Sequence, residues 1–412
     1  MWDITIVGGG AAGLAAAVFA AEALGDGSRV LLLEKAPRVG RKLLATGNGT
    51  CNITNIHAAC TAYHGHDAAF VRAALAAFSP DDAMRFFHRI GVCCTARENG
   101  RVYPLCEQAS AVLDSLRAEA AAHGVTTRCD AAVTAIRRTA DGFALTADEP
   151  MRSKTVLIAA GGAAAPSLGG GTDGYTLLES LGHRRTPLFP AIVQLKTDTS
   201  LLRAVKGIRV DAAIALLRDG RVAAAHSGEI LFTEYGLSGP AVMQISREAA
   251  DWERQKRGRF TAELNLLPDW DTDALLAELR HRRALAGRTL EDVLTGLLHK
   301  RVGQTVLRAA GVTPLSRAAD SLTDRELAAI AAVLQRWEIR VEGTRGFGGA
   351  QVTAGGIATA DFDPATMRSR LVPGLYAAGE VLDIDGDCGG YNLQWAWSSA
   401  HAAATAMAKE VA

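Results

Sequence analysis

The seven cysteines, at 51, 60, 93, 94, 106, 129 and 388, include no C-x-x-C pair. An odd set without close pairing argues against a disulfide framework and a structural zinc site, so reduced thiols are expected. No histidine stands in a metal-ligand spacing such as H-E-x-x-H, and no metal is expected. Net charge is lacking too, with 44 acidic side chains against 44 basic ones. No whole-molecule field therefore favours nucleic acid or an anionic membrane. The basic run Arg254, Lys256, Arg257, Arg259 has no interleaved aromatics and reads as a solvated loop. No apolar run reaches the roughly 18 residues that span a bilayer. The first apolar stretch follows Trp2 and Asp3 rather than a basic segment, which argues against a secretory signal. The expectation is a cytoplasmic protein with no membrane and no nucleic-acid partner. Aromatics are scarce at 6%, but 49% apolar and 21% charged residues are ordinary for a globular chain. A chain of 412 residues exceeds what one hydrophobic core serves, so two or three domains are expected.

What is present begins at the N-terminus. Ile4 to Val7 reads as a strand, Gly8 to Gly13 as a tight turn, Leu14 to Leu24 as an Ala-rich helix and Val30 to Leu33 as a second strand. Within this βαβ unit, Gly8-x-Gly10-x-x-Gly13 follows a strand and opens a helix, the context that gives the pattern physical meaning. Gly8 permits the turn, Gly10 lets the backbone approach a pyrophosphate, and Gly13 lets helix and strand pack closely. The helix N-terminus then faces the phosphate charge. Glu34, 21 residues after Gly13, is placed to accept hydrogen bonds from an adenosine ribose. A dinucleotide site is predicted. The second triplet, Gly169-x-Gly171-x-x-Gly174, is separated from its nearest strand by Pro166 and reads as a loop, so a two-nucleotide layout is not expected.

Two further strand-to-glycine junctions occur, Leu157 to Gly161 and Leu375 to Glu380. In FAD proteins a junction such as Gly379-Glu380 brings an acid near the ribityl chain, and a following helix N-terminus faces the flavin pyrimidine edge. A nucleotide unit that starts at residue 3 and is completed near residue 380 suits FAD. Elsewhere, a helix is expected over 109–122, an alternating pair at 133–136 and 143–146, and a buried strand over 155–160. From about Ala191 short β pieces follow at 192–195, 210–217 and 230–233, then three helices. The second of these starts after Thr289 and places Leu290, Val293, Leu294, Leu297 and Leu298 on one face. The third opens with a capping box, Thr323 with Glu326. An Ala-rich helix from about Asn392 ends the chain.

The stretch Gly40-Arg-Lys-Leu-Leu-Ala-Thr-Gly-Asn-Gly-Thr-Cys-Asn-Ile-Thr-Asn55 resembles the signature of the BaiN-like flavoproteins, the family that includes aminoacetone oxidase. Gly100-Arg-Val-Tyr-Pro104, Gly174-Tyr, Gly228 to Thr233, Gly236 to Pro240, Gln351 to Gly356 and Gly389-Gly-Tyr-Asn-Leu-Gln394 carry the resemblance along the whole chain. One departure is Thr50, where the family usually carries Arg. The resemblance implies an α/β fold, a Rossmann-like FAD-binding domain over 1–190 and 346–412, interrupted by a β-barrel-like subdomain over 191–268 and a helical subdomain over 269–345. It implies cofactor contacts from Ala12 and Lys35 beside the first turn and acid, and from Arg41, Lys42, Thr46, Gly47, Asn48, Cys51 and Asn52 in the signature. Val133, Ala160, Gly161, Gly379 and Glu380 would add to them, as would Gly390, Tyr391, Asn392 and Leu393. The tail is also similar to fumarate-reductase-type flavoproteins, which places Gln351 and Thr353 toward substrate as catalytic candidates.

The expected activity is hydride transfer between flavin N5 and a small organic substrate, an amine or a conjugated enone, with NAD(P)H as a transient reductant. Two readings come from other classes: a partner-binding electron carrier without its own substrate, and an FAD enzyme acting on RNA, which predicts a basic face that the zero net charge does not advertise. The Gly228 to Pro240 segment, carrying Glu229, Glu234 and Tyr235, is expected to be a loop by which the insertion shapes the substrate cavity.

Overall fold

The structure is a computed structural model that describes residues 1–97, 99–256 and 258–412; Arg257 of the basic run lies outside them. The chain forms two compact units, one of Met1–Pro190 with Ala350–Ala412, the other of Ala191–Gly349.

The first unit is built on a seven-stranded sheet. β1 (Trp2–Val7) is followed by α1 (Ala11–Leu24) and β2 (Val30–Leu33), as the apolar pattern predicts. α2 (Ala109–Ala122) leads into β3 (Thr126–Arg128), β4 (Ala135–Thr139), β5 (Gly142–Thr146) and β6 (Pro150–Ile158). β7 (Leu375–Ala377) and α3 (Tyr391–Val411) come from the C-terminal segment. The strand order is β3-β2-β1-β6-β5-β4, with β7 also paired to β6. β1 lies parallel to β2 and β6, and all four residues of β2 are buried, which is why it reads as an unbroken Val-Leu-Leu-Leu run.

Helix α1 buries every residue from Ala12 to Ala21 and packs on α3, where Ala400, Ala402, Ala403 and Ala404 are buried in turn. Alanine on both helices removes side-chain bulk and lets the backbones approach. The Ala-rich composition is therefore a packing requirement of this contact.

Helix α3 is tied down by buried polar groups. Trp397 Nε1 donates to the Ile53 carbonyl at 2.8 Å. Gln394, wholly buried, donates through Nε2 to the Phe78 carbonyl and to Ser398 Oγ, each at 2.9 Å, and accepts from Thr54 Oγ1 at 2.5 Å. This amide joins α3 to the chain after the signature.

The second unit contains a closed six-stranded antiparallel barrel. Its strands run in the order Leu195–Thr197, Gly236–Ser238, Arg221–Phe232, Arg209–Arg218, Phe260–Asn265 and Trp337–Thr344, the last pairing back to the first. Buried residues alternate along Phe260–Asn265 and along most of Trp337–Thr344, the period of a strand with one face on a core. Helices Pro240–Gln255, Thr272–Arg283, Lys300–Ala309 and Asp324–Gln335 complete the unit. The Thr323 and Glu326 capping box is formed.

Two sequence expectations fail here. Residues 289–298 are not a helix but a run of turns that buries Leu290, Val293 and Leu294; the helix starts only at Lys300. Gly296 stands at φ 86° inside the segment, a left-handed conformation that ends helical continuity. Nor is Gly228 to Pro240 a loop. Gly228 to Phe232 belongs to a strand, Leu231 and Phe232 pair with Ser238 and Leu237, and only Thr233 to Tyr235 turn. Closing the barrel requires those pairings, and they override the turn-forming composition.

Replacing Gln394 with Leu would leave the Thr54 hydroxyl and the Phe78 carbonyl without this partner in a buried setting, at a cost of about 2 to 3 kcal/mol. The expected outcome is a lower urea midpoint for the first unit, followed by the fluorescence of Trp395 and Trp397; an unchanged midpoint would remove Gln394 from this role.

Candidate cofactor site

The glycines of the first turn differ in what surrounds them. A Cβ on Gly8 would lie 2.5 Å from the Ala159 carbonyl oxygen, and one on Gly13 would lie 1.8 Å from that of Gly8. A Cβ on Gly10 would meet nothing within 4 Å. Two glycines are thus demanded by packing, while the third leaves open space at the N-cap of α1. That is the division of roles expected of a turn built for a pyrophosphate.

Glu34 closes this turn from the side. Its Oε2 accepts from Gly9 N and its Oε1 from Ala36 N, both at 2.8 Å. Each carboxylate oxygen keeps a further acceptor site, so the contact with the turn leaves capacity for a ribose hydroxyl. Glu34 O also accepts from Ala131 N at 2.9 Å, which brings the chain leading to buried Val133 alongside. Lys35 pairs with Asp173 at 2.6 Å, and Arg41 donates to the Ser167 carbonyl at 2.8 Å. Both cations thereby meet the loop of the second glycine triplet. Ala12, in the first turn of α1, packs beneath Gly379, where an added Cβ would sit 3.0 Å from the Ala12 Cβ.

A second group gathers on Glu380. Its Oε2 accepts from Lys42 Nζ at 2.7 Å and its Oε1 from Thr353 N at 2.9 Å. Thr353 Oγ1 accepts from Ala164 N at 2.9 Å, just beyond Ala160 and Gly161 at the end of β6. Thr353 is fully buried and Gln351 is exposed. Beside Glu380 lies the buried phenol of Tyr175, next to Thr353 and the Ala163 backbone. Burial, with the Glu380 charge, holds it well above the usual phenol range.

The third group surrounds the N-terminus of α3. Gly390 is its N-cap at φ 101°, and a Cβ there would lie 2.4 Å from the Thr54 carbonyl oxygen. Asn392 bonds both the amide and the carbonyl of Gly386 at 2.8 Å, Tyr391 O accepts from Tyr63 Oη at 3.0 Å, and Leu393 is partly buried against the core. Asn55 Nδ2 reaches the Gly389 carbonyl at 3.0 Å. Asn52 Oδ1 is buried without a partner beneath Gly390. A flavin pyrimidine ring offers the N–H donor that such an acceptor lacks, so these residues fit the cofactor. Thr46, Gly47, Asn48 and Cys51 shape the approach to Asn52: Gly47, Asn48 and Cys51 all take positive φ, between 56° and 59°, and Cys51 N donates to Thr46 O at 3.0 Å. Thr50, the departure from the family pattern, turns its hydroxyl onto the Gly47 carbonyl at 2.6 Å.

Comparison with known proteins follows this geometry. Residues 2–406 match the model of the HI0933-like protein Rossmann domain. The chain belongs to that family. It is 36% identical over 408 residues to a Clostridium scindens protein named 3-dehydro-bile acid delta(4,6)-reductase, covering 98% of this chain and 99% of the relative. It is 34% identical over 408 residues to an Escherichia coli protein named ribosomal RNA dihydrouridine synthase, covering 98% and 97%. Among solved structures, 3-ketosteroid delta1-dehydrogenase from Sterolibacterium denitrificans matches with a TM-score of 0.53 at 13% identity, covering 99% of each chain, a likeness of fold. The HI0933-like chain is an FAD-dependent oxidoreductase of Rossmann type. No helix among its described residues is long and apolar enough to cross a membrane.

Arg101 and Tyr175, both within motifs of the family resemblance, stand beside these groups as well. Arg101 donates to the Cys388 carbonyl at 3.4 Å, so the Gly-Arg-Val-Tyr-Pro motif braces the loop that enters α3. The signal was the motif itself. A cluster of metal-ligand types, Glu22, Glu119 and His123, also lies in this unit, but Arg89 already pairs with Glu22 at 2.7 Å.

Gly10→Val is expected to abolish FAD retention while preserving circular dichroism, because a branched side chain would fill the one open position of the turn; normal FAD content after gel filtration would show the site to be elsewhere. Burial pushes the Cys51 thiol up to about 12. It therefore stays protonated at mildly alkaline pH, and the thiolate is the reactive form. Iodoacetamide labelling read by mass spectrometry should mark exposed Cys93 and Cys106 and spare Cys51; rapid alkylation of Cys51 in folded protein would refute this.

Proposed function

We propose that this enzyme reduces a carbon–carbon double bond conjugated to a carbonyl. The observation that carries the reading is a common denominator. Two full-length relatives are named for chemically unrelated molecules, a 3-dehydro-bile acid with delta(4,6) unsaturation and a uridine of ribosomal RNA. Each name describes saturation of a carbon–carbon double bond activated by a carbonyl group. The substrate class is therefore set by that bond, whether it sits in a fused-ring enone or in a uracil base.

FAD, when bound, supplies the hydride at N5, with NAD(P)H as its transient source. The chain's own residues hold the cofactor and fix its surroundings. The Gly8 to Gly13 turn and Glu34 take the adenosine half, and Asn52 with the α3 N-terminus takes the pyrimidine edge. Lys42, Glu380 and Thr353 join three distant segments around the space between. Thr353, buried and bonded through both its amide and its hydroxyl, serves here as a positioning residue. Gln351 is exposed and precedes the short strand Val352–Ala354 that carries Thr353.

Photoreduced protein held without oxygen tests the reading. Cyclic enones or a uridine-containing RNA should restore the oxidised-flavin spectrum, and the corresponding saturated ketones should not. Amine oxidation, the other reaction implied by the resemblance, predicts the reverse: amines would bleach the oxidised protein. Bleaching by amines, or failure of every enone and RNA to reoxidise the flavin, would sink the proposal.

A further inference from the structure

Lys256 and Arg259 of the basic run, which the cofactor site does not use, lie at one end of the inserted barrel. Strand register brings other cations to the same end. Arg218 pairs across the hairpin with Arg221, and across the neighbouring strand with Phe260. Phe260 is opposite Val341, and Thr261 opposite Arg340. Arg259 precedes Phe260, and Lys256 caps the helix Pro240–Gln255. Between them is a cavity of about 360 Å³, lined by Lys256, Arg259 and Arg340, by Glu253 and Glu342, and by Trp252 and Phe260.

The acids nearby, Glu253 and Glu342 of the cavity wall among them, offset only part of this charge. Glu342 is taken by Arg340 at 2.6 Å and Asp251 by Arg254 at 2.6 Å. Glu253 spends one carboxylate oxygen on the amide and hydroxyl of Thr344, at 2.9 and 2.8 Å. Asp219 projects from the hairpin tip, 81% exposed and 3.6 Å from Arg218. Arg218 itself stacks over Trp252 at 5.6 Å, and Trp252 meets Phe260 edge-on at 5.3 Å. Arg221, Lys256 and Arg259 are exposed and form no ion pair among the described residues. In a chain of zero net charge, Lys256 and Arg259 at the cavity, with Arg221 on the adjoining hairpin, are three cations without an ion pair among the described residues, a local concentration of positive charge.

We propose that this end of the barrel is a docking surface for the phosphodiester backbone of a folded RNA. The inference deepens the reduction reading and rests on it for the choice of polymer, a uracil-bearing RNA. Guanidinium groups meet phosphates through paired N–H donors, and strands about 4.8 Å apart spread the cations across several contact points. The surface is concave, which suits a rounded polymer groove or strand better than a flat bilayer. Trp252 and Phe260 are buried, so the contacts position the RNA without reading its bases.

The test uses full-length, FAD-loaded protein and a fluorescein-labelled, uridine-containing RNA hairpin, with fluorescence anisotropy measured over a series of potassium chloride concentrations. Wild-type protein should bind, and the double variant R221Q/R259Q should bind about tenfold more weakly, with a salt dependence shallower by roughly two phosphate contacts. Lys256→Glu should weaken binding further. FAD content reports whether each variant is folded; should the double variant lose its flavin, K256Q alone carries the comparison. Equal affinity and equal salt slope in wild type and variants would overturn the surface, as would binding to phosphatidylserine vesicles with none to RNA. The outcome is separable from the reduction reading, since enone-driven reoxidation is measured without RNA: a wild type that binds RNA through these cations but reoxidises with no enone or uridine would overturn the reaction and keep the surface.

Discussion

One carboxylate holds together segments that the sequence keeps far apart. Glu380 accepts from Lys42, 338 positions away, and from the amide of Thr353, 27 positions away. Any side chain at Gly162 would come within 2.6 Å of both Glu380 Oε1 and Thr353 Oγ1, so the end of β6 must stay bare for the contact to form. Because Glu380 and Lys42 are only 20% and 29% exposed, their attraction is less screened than that of a surface pair. Through Thr353 Oγ1 the network continues to Ala164, and through Gly379 to Ser399 and Trp395 of α3. The ends of β6 and β7, the signature segment and the last helix are thereby fixed relative to one another.

The sequence made the first βαβ unit legible because every local rule agrees there: apolar runs, glycine spacing and the acid after β2 all serve one geometry. The capping box at Thr323 was readable for the same reason, being a contact among neighbours. What could not be read depends on partners remote in sequence. Leu290 to Leu298 has helical spacing, yet Leu290, Val293 and Leu294 are buried by a run of turns in which Gly296 adopts a positive φ. Residues 230–233 read as a short β piece, but the strand's extension back through Gly228 and its pairing with Leu237 and Ser238 depend on a barrel partner that the turn-forming composition does not announce. At the site, Glu34 could be placed near a ribose, but its engagement with Gly9 and Ala36 could not, and the orphaned oxygen of Asn52 exists only because α3 covers it.

The two units divide the physical problem. In the first, small residues and obligatory glycines bring backbones into close approach, leaving open positions at Gly10 and an unsatisfied acceptor at Asn52. In the second, alternating strands enclose an apolar core and turn charged side chains outward.

The barrel closes on itself, with Trp337–Thr344 returning to Leu195–Thr197. A sheet without an edge strand offers no row of free amides and carbonyls to a neighbouring chain. The insertion is thus shielded from edge-to-edge polymerisation by topology rather than by its surface charge. Substitutions that recolour its exterior, such as gain or loss of arginines at the hairpin tips, carry little risk of fibrous association, which gives this unit unusual latitude to change its outer residues.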